Sequence, residues 1–181
     1  MYAYALNNAS GLSVDPENNE AEYITLENNE ITISCKIYHP QKFKEFRLAL
    51  DGEESNFIES MMRCSPWDAK GGKSGAHFYK THDSQFVIKN ISPKEIKTIV
   101  EVGPLYIDYV KESVDNNRPS CLGKIYGAFH VHIKSKEGTK FQQDFICMED
   151  LFYGKSVSKK YDLKGKRKNG AYELLPLPFR E

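Results

Sequence analysis

The chain of 181 residues has no excess of either charge, since Lys plus Arg and Asp plus Glu each number 25. A domain-wide nucleic-acid surface normally leaves a strongly basic balance, so nucleic acid is not an expected partner. There are four cysteines, Cys35, Cys64, Cys121 and Cys147, and no C-x-x-C pair. Three sit in apolar or strand-like stretches, where a free thiol packs as a small hydrophobe; that reading is favoured over a metal or disulfide role, and a reducing, intracellular compartment is expected. No apolar run approaches the roughly 18 residues of a membrane span, so any membrane contact is expected to be peripheral. Residues 1–10 hold no basic segment followed by an apolar one, and no secretory leader is expected. Internal repeats and heptads are missing as well.

What is present is a globular composition, 40% hydrophobic and 28% charged. Residues 1–30, rich in Asn and Glu, read as a loosely ordered arm with one short strand at Tyr23–Leu26, and order is expected from Ile31. Ile31, Ile33, Cys35 and Ile37 alternate with polar residues up to Pro40, the period of a half-buried strand. Phe43, Phe46 and Leu50 fall at helical spacing over Gln41–Leu50, which Asp51-Gly52 breaks; Phe57, Ile58, Met61 and Met62 do the same over Glu53–Arg63. Strands at Gly75–Thr81 and Gln85–Ile91 flank the polar turn His82-Asp83-Ser84. Ser92-Pro93-Lys94-Glu95 is a capping box, and the helix it opens is expected to kink or break at Gly103-Pro104. Strands Lys124–Lys134 and Lys140–Met148 follow, joined at Glu137-Gly138. Tight turns between consecutive strands require antiparallel pairing, so the expected class is α+β, an antiparallel sheet with helices packed on one face.

Two features carry chemistry. Ala69-Lys-Gly-Gly-Lys-Ser-Gly75 is a glycine-rich turn, but Trp67 stands where a Walker A loop has its first glycine, and a strand follows instead of a helix. Glycines let backbone N–H groups approach phosphate oxygens, although a plain surface turn has the same composition. In Phe86-Val-Ile-Lys-Asn-Ile91, alternation puts Val87, Lys89 and Ile91 on one face. A lysine flanked by apolar neighbours either snorkels to water or holds an anion. With the glycine turn beside it, the second reading has Lys89 reaching phosphates while Val87 lines a base pocket. Glu95 is a candidate partner for Lys89, with the capping role the favoured one. His130 and His132 share a strand face without further ligands at metal spacing, so no metal site is expected.

Arg63-Cys-Ser-Pro-Trp-Asp-Ala-Lys-Gly-Gly-Lys-Ser-Gly75, Phe78-Tyr-Lys-Thr81 and Phe86-Val-Ile-Lys89 together resemble phosphatidylinositol phosphate kinases. Within them the run is most similar to the phosphatidylinositol 3-phosphate 5-kinases that carry a FYVE finger. Ile33-Ser-Cys-Lys-Ile-Tyr38, Phe46-Arg47, Met148-Glu-Asp-Leu-Phe-Tyr-Gly154 and Tyr161-Asp-Leu-Lys-Gly165 extend the likeness over roughly residues 31–169. The resemblance implies a kinase-like N-terminal lobe that uses ATP and Mg²⁺. It assigns Gly72, Lys73, Ser74 and Gly75 to a phosphate loop and Lys89 to the phosphates. It places Met148, Glu149, Asp150 and Leu151 at the adenine hinge, and Asp162 and Lys164 at the active-site mouth. It also implies a phosphoinositide substrate and peripheral association with endosomal or vacuolar membranes.

Two departures limit this. Lys166 replaces the family's serine after Asp-Leu-Lys-Gly, and residues 170–181 no longer resemble the family. No D-Y-S-L-L segment with the catalytic aspartate occurs, so no catalytic residue is assigned, and the chain alone is expected to transfer phosphate negligibly. The alternative is a non-catalytic remnant binding nucleotide, a second lobe or partner chain, or phosphoinositide through the basic run Lys164, Lys166, Arg167 and Lys168. A protein kinase is disfavoured because neither H-R-D nor D-F-G occurs.

Overall fold

A computed structural model describes residues 13–14, 21–68, 75–159, 161–168 and 171–178, of which 13–14, 161–168 and 171–178 are described as backbone only. Eight strands form one antiparallel sheet: β1 (Ser13–Val14), β2 (Ala21–Glu27), β3 (Ile31–Tyr38), β4 (Cys64–Trp67), β5 (Phe78–Thr81), β6 (Phe86–Ile91), β7 (Ile125–Ser135) and β8 (Lys140–Glu149). Their spatial order is β1-β2-β3-β7-β8-β6-β5-β4. A separate antiparallel pair joins β9 (Tyr161–Lys168) to β10 (Ala171–Pro178). Three helices accompany them: α1 (Pro40–Asp51), α2 (Glu54–Met61) and α3 (Pro93–Asp115). The expected α+β class holds, in the arrangement of a kinase-like N-terminal lobe.

Alternation along the central strands builds two layers. On one side Ala128, Ile91 and Ile146 meet Phe43 and Phe46 of α1 and Ile96, Ile107 and Val110 of α3. The other side carries Cys35, Ile37, Phe129, Phe145, Cys147, Phe86 and Ile88, and Phe57 and Met61 of α2 join this second cluster. Thus α1 and α3 cover one face, while the short α2 closes part of the other.

Several boundaries differ from expectation. The sheet begins before Ile31, because β2 pairs along β3 from Ala21 to Glu27 and buries Ile24. The helix expected over Glu53–Arg63 stops at Met61, and Cys64–Trp67 becomes an edge strand paired with β5. Only Cys35 and Cys147 are buried thiols; Cys64 and Cys121 are exposed. Burial pushes the Cys35 thiol up to about 12, the behaviour of an inert packed group.

The largest difference lies in α3, which neither breaks nor ends at Gly103-Pro104 but runs through to Asp115. Pro104 has no N–H to donate to the carbonyl of Val100, four residues back. The ring of His39 supplies the donor instead, Nε2 lying 2.9 Å from Val100 O. Gly103 makes room for that ring, since a Cβ there would sit 3.3 Å from His39 Cδ2. His39 itself is the left-handed residue (φ 46°) that turns β3 into α1, with Pro40 opening the helix. At the other end Gly52, φ 75°, closes α1 by donating its N–H to Leu48 O.

The first turn of α3 is a complete capping box. Ser92 Oγ accepts the Glu95 N–H, and the Glu95 carboxylate accepts the Ser92 N–H at 2.7 Å. The N–H and hydroxyl of Ser92 hold the Glu95 carboxyl below its usual range first, burial opposes, and Lys89 adds to the lowering.

His39→Ala should lower stability by about 1–3 kcal/mol, the cost of leaving a part-buried carbonyl without a donor. Pro104→Ala, which returns an N–H to the helix, should recover more stability in that background than in wild type when measured by urea unfolding. Equal effects in both backgrounds would mean that the ring and the proline do not share Val100. For Glu95, a carboxylate with a depressed folded pKa contributes stability above its unfolded pKa and loses it as pH falls through the folded one. Glu95→Gln, which can keep the box's geometry, should therefore flatten the acid limb of the stability–pH curve; an unchanged limb would remove Glu95 from the linkage.

Candidate functional site

The hairpin of β5 and β6 turns at Asp83, whose carboxylate accepts hydrogen bonds from Thr81 Oγ1 at 2.6 Å, Ser60 Oγ at 2.9 Å and the Gln85 N–H at 3.1 Å. Burial alone would raise this carboxyl, but those donors hold it below its usual range. The turn fixes the register Phe78↔Lys89 and Lys80↔Val87, and β6 in turn pairs Val87↔Met148 and Lys89↔Ile146. Directly paired residues share a face, so Phe78, Lys80, Val87, Lys89, Ile146 and Met148 lie together. The register of β4 adds Ser65 and Trp67 to the same face.

Lys89 is 26% exposed, with Nζ 3.3 Å from Glu95 Oε1. Glu95 therefore does both jobs open to it: it caps α3 and meets Lys89. Val87 is buried. Gly75, with φ 64°, ends the glycine turn in a conformation that side-chain-bearing residues rarely adopt. Gly72, Lys73 and Ser74 lie outside the described residues.

The segment Met148–Leu151 leaves β8 along the opposite end of this face. Glu149 points away from it: its N–H donates to Lys124 O at 3.0 Å, and its carboxylate accepts the Lys124 N–H and Nζ, each at 2.9 Å. The Asp150 N–H donates to Gln85 O at 2.8 Å. Both amides are thus committed to the fold. Leu151 is 57% exposed, and among the described residues its N–H meets no acceptor. The backbone positions expected to serve as a hinge therefore differ, and Leu151 is the one with an available donor.

Lys80 is the residue that reading the sequence missed. Its Nζ lies 2.6 Å from Asp150 Oδ2 and 4.3 Å from the Trp67 ring centroid. The signal was the hairpin register, which sets Lys80 opposite Val87. Asp162 and Lys164 lie on β9, opposite Leu177 and Leu175 of β10; their side chains are outside what is described. His130 Nδ1 meets Asp144 Oδ1 at 2.9 Å, and among the described residues no group of three or more His, Cys, Asp or Glu converges as a metal site. A cleft of about 680 Å³ lies behind Glu149–Leu151 against the C-terminal end of α3 and contains neither Val87 nor Lys89. The Val87–Lys89 face is a platform, and the cleft adjoins it at the turn of Asp150 and Leu151, which line the cleft. Among the described residues no helix is long and apolar enough to cross a membrane.

Residues 64–173 match the Phosphatidylinositol-4-phosphate 5-Kinase family. The chain is 38% identical over 137 residues to a human 1-phosphatidylinositol 3-phosphate 5-kinase, covering 75% of this chain and 6% of that protein. It is 38% identical over 139 residues to the 1-phosphatidylinositol 3-phosphate 5-kinase FAB1 of Saccharomyces cerevisiae, covering 76% and 6%. With the 1-phosphatidylinositol-3-phosphate 5-kinase FAB1B of Arabidopsis thaliana it shares 37% over 142 residues, 78% of this chain and 8% of the relative. The chain thus spans only a small fraction of the length of these curated relatives. The matched stretch includes the hairpin with Lys80 and Lys89, the capping box and the Met148–Leu151 segment, and on that ground the chain belongs to the phosphatidylinositol phosphate kinase family.

Proposed function

We propose that this chain is the nucleotide-binding lobe of a phosphoinositide 5-kinase, the enzyme class that moves the γ-phosphate of ATP to an inositol 5-hydroxyl. The observation that carries the reading is Lys89, which shares a face with Val87, is held by Glu95 at 3.3 Å, and lies on the strand pair entered from Gly75. An ammonium in that setting is only partly hydrated and keeps one carboxylate partner on its exposed side, which leaves it competent to meet a phosphate. The base of ATP would lie toward Val87 and Met148, with the Leu151 N–H as donor. Gly72, Lys73, Ser74 and Gly75 would offer backbone N–H groups and a further charge to the phosphates.

ATP fits this face: an apolar strip lies between two lysines, with an amide donor at one end. Among the described residues no set of carboxylates on this face is open to Mg²⁺. Glu95 and Asp150 each already meet a lysine, and no other carboxylates converge among the described residues. Phosphoryl transfer also needs a positioned base, and among the described residues no candidate stands on the platform. The role proposed for these residues is to bind ATP and hold its phosphates, with the lipid substrate a phosphoinositide presented at an endosomal or vacuolar membrane surface. Asp162 and Lys164 are assigned to the mouth of that site, and the basic residues Lys164, Lys166, Arg167 and Lys168 suit its anionic headgroup.

Lys89→Met should weaken ATP binding about tenfold, the loss of one charge-assisted contact, as read by titration calorimetry or ligand-observed NMR. An unchanged affinity would take Lys89 out of the site. The purified 181-residue chain should show no ATP-dependent phosphorylation of phosphatidylinositol 3-phosphate in vesicles; sustained turnover would place a complete catalytic apparatus within it.

A further inference from the structure

Lys80 and Asp150 stand 70 residues apart in sequence and meet at 2.6 Å on the site face, with the Asp150 side chain only 9% exposed. Asp150 is the anchor of the turn that follows β8. Its Oδ1 accepts the Phe152 N–H at 3.0 Å, its carbonyl accepts the Tyr153 N–H at 2.9 Å, and its own N–H is bound to Gln85. Oδ2 accepts from Lys80 Nζ. The ammonium also lies over Trp67, so one side chain ties edge strand β4, strand β5 and the turn together. Leu151, with its available N–H, is the next residue in that turn.

We infer that Lys80 is a positioning residue for the nucleotide base: through Asp150 it sets the height and orientation of the Leu151 N–H relative to the Val87–Met148 platform. This rests on the nucleotide-binding reading above and adds a division of labour to it. Lys89, next to the cap of α3, serves the phosphate end. Lys80, held at the Asp150 turn, serves the base end without touching the phosphates. A lysine at a bridging position, paired with a carboxylate of such low exposure, holds its geometry far better than a surface pair would. Removing its charge leaves Asp150 short of a donor and frees the turn.

The test uses the full chain and three probes: ATP, adenosine and inorganic tripolyphosphate. Lys80→Met, which keeps the aliphatic stem, should weaken ATP and adenosine by the same factor, about tenfold, and leave tripolyphosphate unchanged. Lys80→Arg should restore most of the loss. Asp150→Asn keeps an acceptor for Phe152 and should reproduce the base-selective defect, which guards against a Lys80→Met variant that fails to fold. Lys89→Met should show the opposite split, weakening ATP and tripolyphosphate but not adenosine. An unchanged adenosine affinity in Lys80→Met, or an equal loss for tripolyphosphate, would overturn the inference while leaving the Lys89 reading in place. Failure of the wild-type chain to bind any probe would overturn both.

Discussion

A buried carbonyl without a donor costs more than most single contacts return, and this fold meets that constraint with side chains brought from other elements. Pro104 strips the donor from Val100, and His39 replaces it. The register shift in β7 between Ile125 and Gly127 leaves Tyr126 as an extra residue, and Arg47 Nη1 donates to its carbonyl at 2.6 Å. Arg47 is itself buried, so its charge needs a partner, and Glu54 at the start of α2 accepts from its Nε at 2.8 Å. Phe57 of α2 lies under the guanidinium, 4.6 Å from ring centroid to Cζ. Each repair therefore fixes a helix to the sheet or to another helix. The placement of α3, and with it Glu95 beside Lys89, follows from the first repair.

The site face shows the same economy. Two lysines on neighbouring strands would repel one another if left bare, yet each is matched to a carboxylate at its own end of the platform. Glu95 belongs to a helix cap and Asp150 to a turn, so both partners are held by backbone hydrogen bonds before they meet a lysine. Such support restricts where each ammonium can go.

Much of this was legible in the sequence where the pattern is local. The alternation of β3, the polar turn around Asp83 and the Ser92–Glu95 box each announce themselves within a few residues, and all stand in the structure. Lys89 and Met148, both named by the resemblance, share one face of the sheet, while Glu149 turns away from it. What could not be read is what depends on distant partners. Strand β4 shows no alternation, because all four of its residues are exposed at the sheet edge and one is Pro66. Strand β2 is expected only over Tyr23–Leu26; it buries only Ala21 and Ile24, three apart, so the period-two signal does not mark its full length or its place in the main sheet. Pro104 looks like a helix stop to any local rule, since its compensation comes from His39, 61 residues before Val100. Lys80 is hidden for a similar reason: Phe78-Tyr-Lys-Thr81 reads as a plain strand until Asp150 is placed beside it.

The His39 splint has a consequence for how the molecule breathes. A helix interrupted by proline would ordinarily open in two halves, each fraying on its own. Here the weak point of α3 is closed by the residue that starts α1, so separating the two helices also removes the bond that lets α3 pass its proline. The pair therefore forms one cooperative unit, with a single opening event in which the first turn of α3 and its Glu95 lose their footing together.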